Sequence, residues 1–138
     1  MRPLWLITFL VGICLPLAAC SSASAVAGKQ SVTLTIEGAD DLSFDPDSLT
    51  VQADTAINLT FVNTGANPHS FAIAKAGTAL FSVNEDAVFQ GINTGEIQGG
   101  DSFRIPIAGL EPGSYTYVCL IAGHAAAGMV GTLTITEQ

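Results

Sequence analysis

The stretch GSYTYVCLIAGHAAAGMVGTLTIT, residues 113–136, reads as strand, loop, strand. Tyr115, Tyr117 and Cys119 recur at every second position, so they share one face of an extended segment, because side chains along a strand alternate sides. Leu133 and Ile135 repeat that period in a closing strand from Val130 to Thr136. Four residues separate Cys119 from His124 and four more separate His124 from Met129. One loop therefore carries a thiol, an imidazole and a thioether. Gly123 and Gly128 stand beside the last two and supply unusual backbone angles, while Ala122, Ala125, Ala126 and Ala127 leave room around a bound ion.

The same alternation runs upstream. Val32, Leu34 and Ile36 alternate with Thr33, Thr35 and Glu37; Leu49 and Val51 follow Phe44-Asp45-Pro46; Ile57, Leu59 and Phe61 precede an Asn63-Thr64-Gly65 turn. After Pro68, His69 falls on the same side as Phe71 and Ile73, the core side of an expected strand. Residues 75–100 are the least regular part, an excursion with room for a short helix near Glu85 to Gln90. Phe103, Ile105 and Ile107 then alternate again before the Glu111-Pro112-Gly113 turn. Six or seven short strands with turn signals between them predict an all-β chain, a Greek-key β-sandwich with antiparallel or mixed pairing, over residues 31–138.

The start of the chain has a different character. Behind Met1-Arg2, LWLITFLVGICLPL runs uncharged from Leu4 to Leu17 and meets Ala18-Ala19 before Cys20. That is the pattern of an export signal, too short and wrongly flanked for a stable transmembrane helix. The junction Leu17-Ala18-Ala19-Cys20 resembles the bacterial lipoprotein cleavage box. The resemblance implies a signal peptide over residues 1–19, lipidation of Cys20 and attachment to the outer face of a bacterial membrane, in the periplasm or at the cell surface. The alternative is an ordinary signal peptide cut after Ala25 or Ala27 with Cys20 discarded, and both export the protein. Residues 20–30, small and mostly polar, are read as the anchor cysteine and a flexible tether.

All twelve acidic residues lie beyond the signal, against only Lys29, Lys75 and Arg104. Nucleic acid is therefore an improbable partner; an acidic surface favours encounter with a basic partner at low salt, or simply serves solubility. A monomer is expected. Removal of Cys14 and lipidation of Cys20 leave Cys119 as the single free thiol of an exported chain, with no internal disulfide to form. Metal ligation both explains such a thiol and protects it.

His69, His124 and Met129 are then the exported chain's only imidazoles and only thioether. With Cys119 they make a His69, Cys119, His124, Met129 donor set, His69 coming from outside the loop. Two imidazoles and a thiolate in a plane with a weak axial thioether suit a type 1 copper ion, tolerable to both Cu(I) and Cu(II). A binuclear purple site would need a second cysteine among residues 120–128, which hold none, and an oxygen-reducing multicopper site would need histidines where Val118 and Leu120 stand. Both histidines are committed to metal, so no nucleophilic triad is left and no enzymatic turnover is expected.

Two segments resemble the cupredoxin family of type 1 blue-copper proteins: Asn67-Pro68-His69-Ser70-Phe71, like its first-histidine segment, and Tyr115 to Gly131, like its carboxyl-terminal ligand loop. The four-and-four spacing is most similar to the auracyanin and rusticyanin branches. The resemblance spans about Ser31 to Gln138. It implies ligation through the inner ring nitrogens of His69 and His124, Cys119 as thiolate and Met129 as axial donor. It also implies one-electron transfer through the edge of His124, ringed by Leu120, Ile121, Ala122 and Ala125 to Ala127. A copper-delivery or copper-buffering lipoprotein is the alternative, although the open Met- or His-rich clusters of such proteins are missing from this sequence. Ser70 departs from the asparagine common at that place, and a serine hydroxyl reaches less far.

Overall fold

The computed structural model describes residues 30–138. The expected signal peptide, the lipid on Cys20 and all but the last residue of the tether lie outside the described residues. Nine strands form two sheets: β1 (Ser31–Ala39), β2 (Ser43–Asp45), β3 (Ser48–Gln52), β4 (Ala56–Asn63), β5 (Ala72–Ala74), β6 (Val88–Asn93), β7 (Ser102–Ile107), β8 (Gly113–Val118) and β9 (Val130–Thr136). One sheet has the order β2-β1-β4-β7 and the other β3-β9-β8-β5-β6. The sandwich is mixed, because β1 runs parallel to β4 and β3 parallel to β9, the other pairings being antiparallel.

The two-residue period explains the core. Ile57, Leu59 and Phe61 of β4 lie beside Ile36 of β1 and Ile105 and Ile107 of β7 in one sheet and pack with Leu133 and Ile135 of β9 from the other in one buried cluster. Burying each large apolar side chain contributes roughly 1.5–3 kcal/mol. Phe44, Phe71 and Tyr117 fill the middle: Phe44 meets both other rings edge to face, with the Tyr117 centroid 5.3 Å away, while Phe71 and Tyr117 lie tilted with centroids 5.4 Å apart. The Tyr117 hydroxyl donates to the Pro46 carbonyl at 2.7 Å. Burial, and secondarily the nearby Asp47 carboxylate, push the Tyr117 phenol up to about 12. Tyr115, half-buried, donates its hydroxyl to the Glu111 carbonyl at 2.9 Å and pins the turn that leads into β8.

Two expectations are refined. The short helix is a single 3-10 turn, Glu85–Ala87, preceded by another at Leu80–Ser82, and residues 88–90 belong to β6. Asn84 caps the second turn by accepting the Asp86 amide at 2.9 Å. Val88, β-branched, and Phe89, aromatic, then favour the extended chain, which pairs with Ala74 of β5. Nor does the run from His69 to Ala74 alternate between core and solvent, since every residue in it is buried. β5 is an inner strand. A second apolar cluster, in which Val83 of the excursion and Ala125 of the ligand loop pack with Ala72, Ala74, Val88 and Val118, covers its other face.

Candidate metal centre

His69 sits just before β5, in an isolated bridge to Ile97 whose two backbone hydrogen bonds measure 3.1 and 2.8 Å. Its loop is organised by Asn63, which continues the buried row of β4 as a polar residue. The cost of burying that amide is offset because it is fully used: Nδ2 donates to the Asn67 and Ile97 carbonyls at 2.7 and 2.8 Å, and Oδ1 accepts the Gly65 amide at 2.9 Å. Asn63 was not singled out from the sequence, where it reads as one member of a turn.

The other donors hang from the β8–β9 hairpin, in which Val118 pairs with Val130. Immediately inside that pair the Cys119 amide donates to the Met129 carbonyl at 3.2 Å and the Met129 amide to the His124 carbonyl at 3.0 Å. Of the nine residues between Cys119 and Met129, residues 122–128 form continuous turns, entered through a bend at Ile121. Gly123 and Gly128 have φ of 85° and 117°, which a side chain rarely adopts, so the sequence argument for glycine at these places is borne out.

These supports bring the donor atoms of His69, Cys119 and His124 within 4.8 Å of one another. The Cys119 Sγ lies 3.5 Å from the His124 Nδ1. Two ligands bound in a trigonal plane at about 2.0 Å (N) and 2.3 Å (S) stand about 3.7 Å apart, so the spacing is that of atoms sharing one ion. The His69 Nδ1 is buried and has no hydrogen-bond partner. A buried polar atom without a partner costs roughly 1–3 kcal/mol unless something else meets it. Here that atom faces a thiol and a second imidazole. Burial, then the neighbouring His69, hold the His124 imidazole below its ordinary 6.5 against the opposing pull of Asp40, which favours the neutral ring that a metal takes.

Met129 is fully buried at the end of the loop. A Cβ at Gly38 of β1 would stand 3.0 Å from the Met129 Cε and 2.8 Å from the Phe61 ring, so a glycine there makes space for the thioether. Ser70 fastens the two ligand segments together despite its short reach. Its amide approaches the Cys119 Sγ at 3.4 Å, its hydroxyl lies 3.7 Å from that sulfur, and the same hydroxyl accepts the Leu120 amide at 2.8 Å. Asp40, which the sequence reading passed over, accepts the His69 Nε2–H at 3.1 Å.

The cupredoxin-like domain family matches this chain over residues 8–135. The chain belongs to the cupredoxin-like family. Among curated relatives it is similar to auracyanin-B of Chloroflexus aurantiacus, 33% identical over 119 residues that cover 70% of this chain and 48% of that protein. It is also similar to the copper-resistant cuproprotein CopI of Rubrivivax gelatinosus, 25% identical over 79% of this chain and 69% of the relative. The chain thus spans about half the length of auracyanin-B. Among solved structures, dithionite-reduced auracyanin of Roseiflexus castenholzii superposes with a TM-score of 0.66 at 25% identity, over 78% of this chain and 98% of the other. Cupredoxins bind copper, and the His, Cys, His and Met cluster of this member suits a single type 1 ion.

Proposed function

We propose that this cupredoxin is a one-electron carrier in which His69, Cys119, His124 and Met129 hold one type 1 copper ion. The observation that carries the reading is the unpartnered, buried Nδ1 of His69 facing Cys119 and His124. Copper, when bound, supplies the Cu(I)/Cu(II) couple. The residues of the chain do the rest. Ser70 and the Cys119–Met129 backbone bond tie the loop to the sandwich, so the donor set keeps its shape, and little rearrangement is then needed when an electron moves.

His124 is half-buried, and Ala122, Ala126 and Ala127 beside it in the loop are exposed, with Leu120 and Ile121 half-buried. Ala125, expected on this rim, is instead 1% exposed and packs in the second cluster, because the loop turns inward there. The small uncharged rim suits brief docking of a redox protein, for which a basic cytochrome is the partner of choice given the acidic composition. Ala126→Lys is expected to slow exchange with such a partner by about threefold or more while the copper spectrum stays unchanged. Unaltered kinetics would place the port elsewhere.

A second reading, copper delivery or buffering, is favoured by the likeness to a copper-resistance protein. Copper-loaded protein that is intensely blue, with a reversible couple and slow metal loss, supports the carrier; a colourless, labile Cu(I) complex supports delivery. For location we retain export and anchoring through lipid on Cys20. Mass spectrometry of the mature protein is expected to find a Cys20 carrying more than one acyl chain at its start, and an unmodified chain beginning after Ala25 or Ala27 would refute the anchor.

A further inference from the structure

We infer that Asp40 is a positioning residue for the copper centre: its carboxylate aims the His69 ring and places a negative charge behind it. The inference rests on the copper reading above. Asp40 immediately follows β1, whose parallel register with β4 sets Gly38 opposite Asn63. Two residues further along each chain, Asp40 meets the start of the His69 loop. Its Oδ2 accepts the Ala66 amide at 2.8 Å, and its Oδ1 accepts the Asn67 amide at 3.1 Å and the His69 Nε2–H at 3.1 Å. One carboxylate therefore holds the loop and its imidazole at a single point.

The consequence lies in the two faces of the ring. With its proton on Nε2 and directed at a carboxylate, a neutral imidazole has its lone pair on Nδ1, the atom that no protein group meets. His69 is 1% exposed and Asp40 39%, so the acceptor sits at the boundary between solvent and the buried ring. The carboxylate accepts from the Ala66 amide, the Asn67 amide and the His69 Nε2–H, and three donors converging on it favour its anionic form. A fixed anion behind a ligand favours the more positive oxidation state and lowers the reduction potential.

Gly65 provides an independent observation. A Cβ on it would run into the Asp40 carboxylate, and its backbone has an ordinary negative φ. The turn thus carries a glycine where the carboxylate needs the space. Gly65→Ala would push the carboxylate aside without removing its charge, whereas Asp40→Asn removes the charge and keeps an oxygen for the imidazole.

The test compares copper-loaded full-length wild type with Asp40→Asn, Asp40→Ala and Gly65→Ala, measuring visible absorption, reduction potential and the rate of copper loss to a chelator. All three variants are expected to stay blue. Asp40→Asn should raise the potential and change copper loss by less than about threefold; Asp40→Ala should raise the potential and speed loss by about tenfold or more; Gly65→Ala should speed loss with the smaller change in potential. An Asp40→Asn potential equal to that of wild type, or wild-type copper loss in a folded Asp40→Ala protein, overturns the inference while leaving the copper site intact. Should Asp40→Ala fail to fold, Asp40→Asn and Gly65→Ala still decide. A wild type that never turns blue overturns the copper reading itself, and Asp40 with it.

Discussion

Cys119→Ser is expected to abolish the intense visible absorption of the copper-loaded protein completely. The colour of a type 1 centre needs a thiolate sulfur bound in the trigonal plane. A serine hydroxyl is a hard, neutral donor that does not ionise near neutral pH. The substitution is otherwise conservative: Cys119 is fully buried, its amide bond to Met129 is a backbone interaction, and the Ser70 amide that approaches its sulfur at 3.4 Å can meet an oxygen instead. The circular dichroism of the variant should therefore match that of wild type, so that loss of colour reports on the site alone. Residual copper is expected to give weak absorption and a spectrum of ordinary tetragonal copper. Persistence of the blue band in the serine protein would refute the ligand set.

The largest expected loss of stability follows from Phe61→Ala. Phe61 is fully buried in β4, with its ring edge-on to Phe44 at a centroid distance of 6.2 Å and closed in by Gly38 of β1. Truncation of a buried phenylalanine costs about 3–5 kcal/mol, from lost burial together with the cavity left behind. Against a total of roughly 5–15 kcal/mol for a domain, that is a large fraction. The thermal midpoint of the metal-free protein should fall by more than about 10 °C. A fall of only a few degrees would mean that the core does not centre on this ring. Copper bound to the folded state alone should recover part of the loss by mass action, which makes the comparison of metal-free and loaded protein a second reading of the same site.

Most of the fold was legible in the sequence because strand periodicity is local. Val32 to Ile36, Ile57 to Phe61 and Leu133 to Ile135 show their buried faces directly, and each became a strand with that face inward. The segment after Glu85 was less clear. Its acidic turn and the β-branched and aromatic residues behind it compete, and pairing with β5 decides where the turn stops. Ala125 was misplaced for a similar reason: a small apolar residue in a loop fits a surface rim or a minor core equally well until Val83 and Val118 are seen beside it.

The sequence by itself determined which atoms are available to the copper centre. Residues 30–138 hold one thiol, two imidazoles and one thioether, three of them in a loop whose glycines were found at the angles that only glycine readily takes. Tertiary structure alone decided how the remaining imidazole is aimed. Asp40 stands 29 residues before His69 and looks, in sequence, like an ordinary solvated turn residue next to Asp41. Only the parallel pairing of β1 with β4 carries it to the His69 loop, where Asn63 and Gly65 have shaped the place it fills. Parallel neighbours are joined by long connections, so no local pattern announces their contacts, and the orientation of a ligand is settled by such contacts.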